Sequence, residues 1–193
     1  MINSQTAAQI VAAAADAILA SPDSFHEILD GMPAPVYVTD ASGTVTYFNP
    51  ACVELAGRTP KVGVDKWCVT FRLYTSEGEH LRHNQCPMAV AIRERRPIRE
   101  GEVAAERPDG TLVQFVPFPT PLFDQRGELV GAVNLLMDVT EHRRPQFLQA
   151  QTDRCRRLAA AVTDPQIAET LSLLAAEYEE QSLKFGRPRR TDN

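Results

Sequence analysis

The stretch Val36-Tyr37-Val38-Thr39-Asp40, Ala41-Ser42-Gly43-Thr44, Val45-Thr46-Tyr47-Phe48-Asn49 decides how the rest of the chain is read. Its two ends are rich in β-branched and aromatic residues and its middle is turn chemistry, so it predicts a β-hairpin. Asn49-Pro50 has the form of a helix cap followed by proline at the first helical position, with Gly57 at the far end. Cys52, Val53, Leu55 and Ala56 supply that short helix with apolar contacts. The middle of the chain therefore mixes strands and helices.

Working outward, Ile10, Val11, Ala14, Ile18 and Leu19 recur at helical spacing before Ser21-Pro22-Asp23, an N-terminal amphipathic helix over 1–22. Its face is mainly alanine, so it needs a neighbour: its own domain or a second copy of the chain. Phe25, Ile28, Leu29 and Met32 predict a short helix stopped by Gly31 and Pro33. From Arg58 to Gln85 the only clear signal is an apolar run from Trp67 to Leu73. A helix is expected from Pro87 to Arg95, with Met88, Ala91 and Ile92 on one side. Strands Ile98 to Arg107 and Thr111 to Pro117 are joined by Pro108-Asp109-Gly110, and a third runs from Leu129 to Val139. Pro117, Pro119 and Pro121 place the second of these at an edge or take it out of the sheet early. Residues 145–193 read as a helical hairpin with a loose basic tail after Gly186. Leu148, Cys155, Leu158 and Val162 mark one helix, and Ile167, Leu171, Leu174 and Tyr178 the other, begun by Thr163-Asp164-Pro165.

Composition excludes several classes. With 44% hydrophobic and 23% charged residues the chain is globular rather than disordered. A net charge of -5 argues against nucleic-acid binding, which needs a basic stripe. There is no membrane-length apolar run, and no basic residue precedes the alanine-rich start, so neither a span nor a signal peptide is read and a cytoplasmic location is expected. Cys52, Cys68, Cys86 and Cys155 have no paired spacing, so no disulfide framework or metal site is read; reduced, mostly buried thiols are expected.

The middle region, residues 23–144, resembles the PAS sensory domain. The resemblance is carried by Val38-Thr39-Asp40 and Gly43, then Tyr47-Phe48-Asn49-Pro50-Ala51, then Arg107-Pro108-Asp109-Gly110-Thr111. Gly131-Ala132-Val133-Asn134 and the closing Asp138-Val139-Thr140-Glu141 complete it. It implies an α+β fold: a five-stranded antiparallel sheet of order 2-1-5-4-3, with short helices on one face and flanking helices at both ends. It also implies a sensory or regulatory module that binds a small ligand or partner protein and relays the signal through those helices. Fewer residues follow Arg144 than the ~50 an independent domain needs, so the expected output is another protein, a histidine kinase or other signalling partner, reached by a homodimer. The N-terminal helix, the C-terminal hairpin, or both would form that dimer.

No phosphate loop, nucleophile elbow or zinc-helix motif is present, so no catalytic residue is assigned. A small ligand-modifying enzyme stands as one rival reading. In His80-Leu81-Arg82-His83-Asn84-Gln85-Cys86-Pro87, Cys86 precedes proline and sits just outside the next helix. Cys86 or His83 as an axial ligand makes a haem-based gas or redox sensor the other rival. The family's light-sensing branch carries its reactive cysteine in Gly-Arg-Asn-Cys-Arg-Phe-Leu-Gln. Neither Trp67-Cys68-Val69 nor Gln85-Cys86-Pro87 matches it, which argues against a covalent flavin adduct. Trp67, Phe71, Tyr74 and Phe118 are the candidate ligand-cavity residues, weighed against plain core packing. Arg93 to Arg96 with Arg99 reads as a solvated charged face, with an acidic partner as the lesser reading. Asp138 and Thr140 join the last strand to the C-terminal helix and are the candidate signal relay, with Pro145 expected to break that helix after one turn.

Overall fold

The hairpin forms where the sequence puts it, as Val36–Asp40 (β1) and Val45–Phe48 (β2). Asp40 Oδ1 accepts from the amides of Ser42 (2.8 Å) and Thr44 (2.9 Å), and Gly43 takes the left-handed conformation that the turn requires. The structure is a computed structural model that describes residues 4–20, 25–32, 34–99 and 101–185. The proposed helix stop at Ser21-Pro22-Asp23, Pro33 and the basic tail from Gly186 lie outside those residues.

The remaining strands are Arg72–Thr75 (β3), His80–Leu81 (β4), Val103–Glu106 (β5), Leu112–Pro117 (β6), Thr120–Phe123 (β7) and Leu129–Asp138 (β8). They form one antiparallel sheet of order β2-β1-β8-β6-β5-β3-β4, with β7 also on β8. The first five of that series are the expected 2-1-5-4-3 arrangement, and the α+β class is as predicted. Three strands are additions: β3 and β4 come from the stretch without clear periodicity and extend the β5 edge, and β7 follows the expected strand end at Pro117. β5 begins at Val103, not Ile98, because Gly101 at φ 99° interrupts the extended backbone. The proline-rich strand does not leave the sheet. It ends at Pro117 as β6, paired with β5 and β8, and the separate β7, which carries Pro121, pairs with β8 alone.

Alternation along β1 and β8 sorts side chains to two faces. On the inner face Tyr37, Ala132 and Leu136 join Cys52 and Leu55 of Pro50–Ala56 (α3) and Met88, Ala89 and Ile92 of Pro87–Glu94 (α4) in one core. On the outer face Val36, Val38, Phe118, Leu122, Val133 and Leu135 meet Ala7, Val11, Ala14 and Ile18 of Ser4–Ala20 (α1) and Phe25 and Leu29 of Phe25–Asp30 (α2). The alanine-rich helix thus spends its apolar side on its own sheet. Asn49 fastens this corner: its Oδ1 accepts from Val36 and Cys52 amides, and its Nδ2 donates to the carbonyls of Leu29, Met32 and Ala34.

The C-terminal hairpin consists of Thr140–Ala161 (α5) and Pro165–Phe185 (α6), packed on each other. α5 begins at Thr140 and continues through Pro145, correcting the expected break: the proline removes one backbone hydrogen bond near the helix start, and the rest of the ladder carries on. α6 is also rotated from the expected stripe. Ala175 is buried with Leu171 and Tyr178 partly covered, whereas Ile167 and Leu174 are exposed, as is Leu158 on α5. No helix among the described residues is long and apolar enough to cross a membrane.

Candidate functional site

The inner-face core is apolar except for one connected polar cluster. Tyr37 on β1 and Asn134 on β8 are cross-strand partners. Asn134 Nδ2 donates to the Tyr37 hydroxyl (3.0 Å), which donates to the Trp67 carbonyl (2.9 Å). The same carbonyl is 3.7 Å from the Cys86 thiol. The Phe118 amide, where β6 gives way to β7, donates to the Leu135 carbonyl (2.8 Å) and is shared with Asn134 Oδ1 (2.9 Å). Cys68 Sγ lies 3.1 Å from Thr70 Oγ1, and Cys52 donates to the Val36 carbonyl at 3.3 Å. Thr39, opposite Ala132 on β8, has a buried hydroxyl without a partner.

Trp67 holds this cluster in a strained conformation. Its φ of 69° is in the left-handed region that a bulky residue rarely adopts, and its ring fills the place that a Cβ on Gly43 would need. The strain aims the Trp67 carbonyl inward while the half-buried ring lies over the hairpin turn.

The electrostatics are those of a neutral site. Burial, and then the neighbouring Cys68 and Cys86 thiols, push the Tyr37 hydroxyl well above its ordinary range. Burial pushes the Cys86 thiol up to about 12 and raises Cys52 and Cys68 too. The cluster therefore offers neutral hydrogen-bonding groups and protonated thiols, and no activated nucleophile or acid–base pair.

The four candidate cavity residues do not come together. Trp67 packs against the inner-face core, but Phe118 is in the outer-face core beneath α1. Phe71 is exposed with Arg72 stacked over it, and Tyr74 points to the outer face, where its hydroxyl donates to Glu106 (2.7 Å). Phe118 instead meets the inner cluster through its backbone amide. Cys86 faces the inner core, whereas His83 lies in the loop beside Arg58 and Asp65, its imidazole Nε2 buried without a partner and its pKa lowered chiefly by burial. Burial keeps the metal-free Cys86 thiol protonated, beside the Trp67 carbonyl. Among the described residues no group of three His, Cys, Asp or Glu side chains is arranged to hold a metal ion. In the arginine patch, Arg95 and Arg96 pair with Glu128 and Glu94, and Arg99 bonds the Ile98 and Pro119 carbonyls and Thr120.

Asp138 and Thr140 do sit at a joint. Asp138 Oδ1 accepts from the Thr140 amide (2.8 Å), starting α5 directly from β8. Thr140 Oγ1 accepts from the Gln114 amide (2.9 Å), and the Val139 amide donates to the Gln114 carbonyl (2.8 Å), which ties the helix start to β6.

The model of the PAS fold matches residues 29–144, more than half of the chain. The chain belongs to the PAS family. No curated protein matches it. Among solved structures, the PAS domain of the fruit-fly ELK potassium channel is similar at 14% identity and TM-score 0.48, covering 62% of this chain and 97% of that one. The LOV protein of Rhodobacter sphaeroides is similar at 13% identity and TM-score 0.44, covering 92% of this chain and 98% of that one. At such low identity and TM-score, the assignment to PAS rests on the family match. As a PAS domain the chain is a sensory signalling domain in general terms.

Sequence reasoning did not single out Tyr37, nor give Asn134 a role. A lone amide inside Ala132-Val133-Asn134-Leu135-Leu136 was the available signal, because a polar residue buried in a central strand needs a partner.

Proposed function

We infer that this PAS chain is a non-enzymatic relay: it senses a small, largely apolar, uncharged ligand at the inner-face cluster and passes the change to α5 and α6, which engage a signalling protein or a second copy of the chain. One observation carries the reading. A single strand, β8, bears both Asn134 in the buried cluster and Asp138 at the start of α5, so a ligand that repositions Tyr37 and Asn134 acts on the strand that begins the helix. The neutral hydroxyl, amide and thiols supply weak polar recognition, and the unpartnered Thr39 hydroxyl adds a further donor and acceptor. The apolar side of α1 is used on its own sheet, and Leu158, Ile167, Leu173 and Leu183 of the hairpin remain exposed, which favours the hairpin as the surface offered to a partner.

Hydrogen exchange on the full chain tests the relay. Asp138→Ala removes the carboxylate at the helix start and is expected to raise exchange across α5 about tenfold, a loss of ~1.4 kcal/mol in local opening, with β1 and β8 unchanged. Unaltered α5 exchange would remove the joint from the mechanism. The native mass and absorption spectrum of the purified protein address the ligand directly, and a Soret band after haem addition would favour a haem sensor over this reading.

A further inference from the structure

α5 touches the sheet at a second place, far from its start. The β3–β4 hairpin turns at Gly78, whose φ is 79° and whose amide donates to the Thr75 carbonyl (2.9 Å). Arg154 donates to the Gly78 carbonyl, and the Gln151 side-chain amide occupies the space that a Gly78 Cβ would need. Gln151 and Arg154 are three residues apart, so one side of α5 presents both to the turn.

The dimensions agree with a helix laid across the strands. Gln114 on β6, Ala104 on β5 and Tyr74 on β3 are paired in register, and β4 follows. At ~4.8 Å per strand, β6 to β4 spans ~14 Å. From Thr140, tied to Gln114, to Gln151 over Gly78, α5 rises ~16 Å at ~1.5 Å per residue. α5 is therefore held at both sides of this half of the sheet.

The contact is mixed: Leu148 and Cys155 of α5 and Ala104 of β5 are buried, and so are several polar groups. Gln114 is buried with its Nε2 unpartnered, the Gln151 Nε2 is unpartnered as well, and Glu106 gives its oxygens to Tyr74 and Arg72. Apolar burial of Leu148 is non-directional, so the discrete anchors fix where on the sheet the helix sits. The hairpin carrying the second anchor also reaches the inner face: Leu73 of β3 is in that core and Leu81 of β4 packs against it.

We propose that the β3–β4 turn is a second anchor for the output helix, and that rearrangement of the inner-face core reaches α5 through Leu73, Leu81 and Gly78 as well as through β8. This rests on the relay reading above and adds a separate route to it.

The test is amide exchange on the full chain carrying Gln151→Ala with Arg154→Ala, and separately Leu81→Ala. The double variant should exchange at least tenfold faster over residues 148–185, with β1 and β8 unchanged. Unchanged protection of the hairpin overturns the anchor, and so does an equal loss across sheet and hairpin, which would mean that these contacts serve only global stability. Leu81→Ala should loosen 148–185 by a larger factor than it loosens β1 and β8; an equal or smaller factor overturns the route from the core. If Asp138→Ala alone loosens the hairpin, the relay through β8 stands and the second anchor falls.

Discussion

One face of the sheet is covered twice, in two ways. Over β1, β2, β7 and β8 the cover is α1 and α2, packed through Val11, Ile18, Phe25 and Leu29 onto Val36, Val38, Leu122 and Leu135. Over β6, β5 and β3 it is α5 and α6, meeting Gln114, Glu106 and the β3–β4 turn through Gln151, Arg154 and Tyr178. Apolar burial is non-directional and strong, roughly 25 cal/mol per Å², whereas each hydrogen bond contributes only about 1 kcal/mol net because water competes for it. The first half is a permanent part of the domain. The second adds directional contacts at Gln114 and Gly78 to a smaller apolar burial at Leu148, Cys155 and Ala175.

The largest expected effect breaks the permanent half. Leu29 is fully buried, and Leu29→Ala should lower the stability of the whole domain by about 2–5 kcal/mol in denaturant unfolding, with sheet and hairpin lost together. A loss below about 1 kcal/mol would show that α2 is no better attached than the hairpin.

Thiol labelling compares the halves directly. Cys155 is buried on α5 within the hairpin, and Cys52, Cys68 and Cys86 lie in the inner-face core. Burial raises the pKa of every one, so all are protonated near neutral pH and must be exposed to react. At pH ~8 under native conditions, iodoacetamide should alkylate Cys155 at least about tenfold faster than the core thiols, reflecting local opening. Equal rates would mean that the hairpin opens only when the domain unfolds.

The smallest effect sharpens the contrast. Gln114→Leu replaces an amide whose Nε2 has no partner by an apolar side chain of similar size, and should slow exchange over 148–161 by a few-fold, a gain of under about 1 kcal/mol. Faster exchange would assign the amide a bond that holds the helix.

Much of this could be read from the chain because the signals are local. Asp40 and Gly43 make their own turn, Asn49-Pro50 starts α3, and Asp109-Gly110 closes the β5–β6 hairpin. The strand Arg72–Thr75 escaped notice because it is short, its hairpin partner β4 is only two residues long, and its other partner β5 is distant in sequence. The candidate cavity failed as a set for a related reason. Aromatic residues mark burial but not which face they enter, and the break at Phe118 sends that ring to the outer side.

The sequence by itself determined the hairpins, the caps, the family and the helical nature of both ends, since turn chemistry and periodicity act over a few residues. Tertiary structure alone decided that Asn49 would bridge α2, β1 and α3, that Trp67 would be strained over Gly43 and joined to Tyr37, and that Ala175 rather than Leu174 would face inward. Each depends on which distant surface arrives opposite a residue, and that is settled only when the whole sheet has closed.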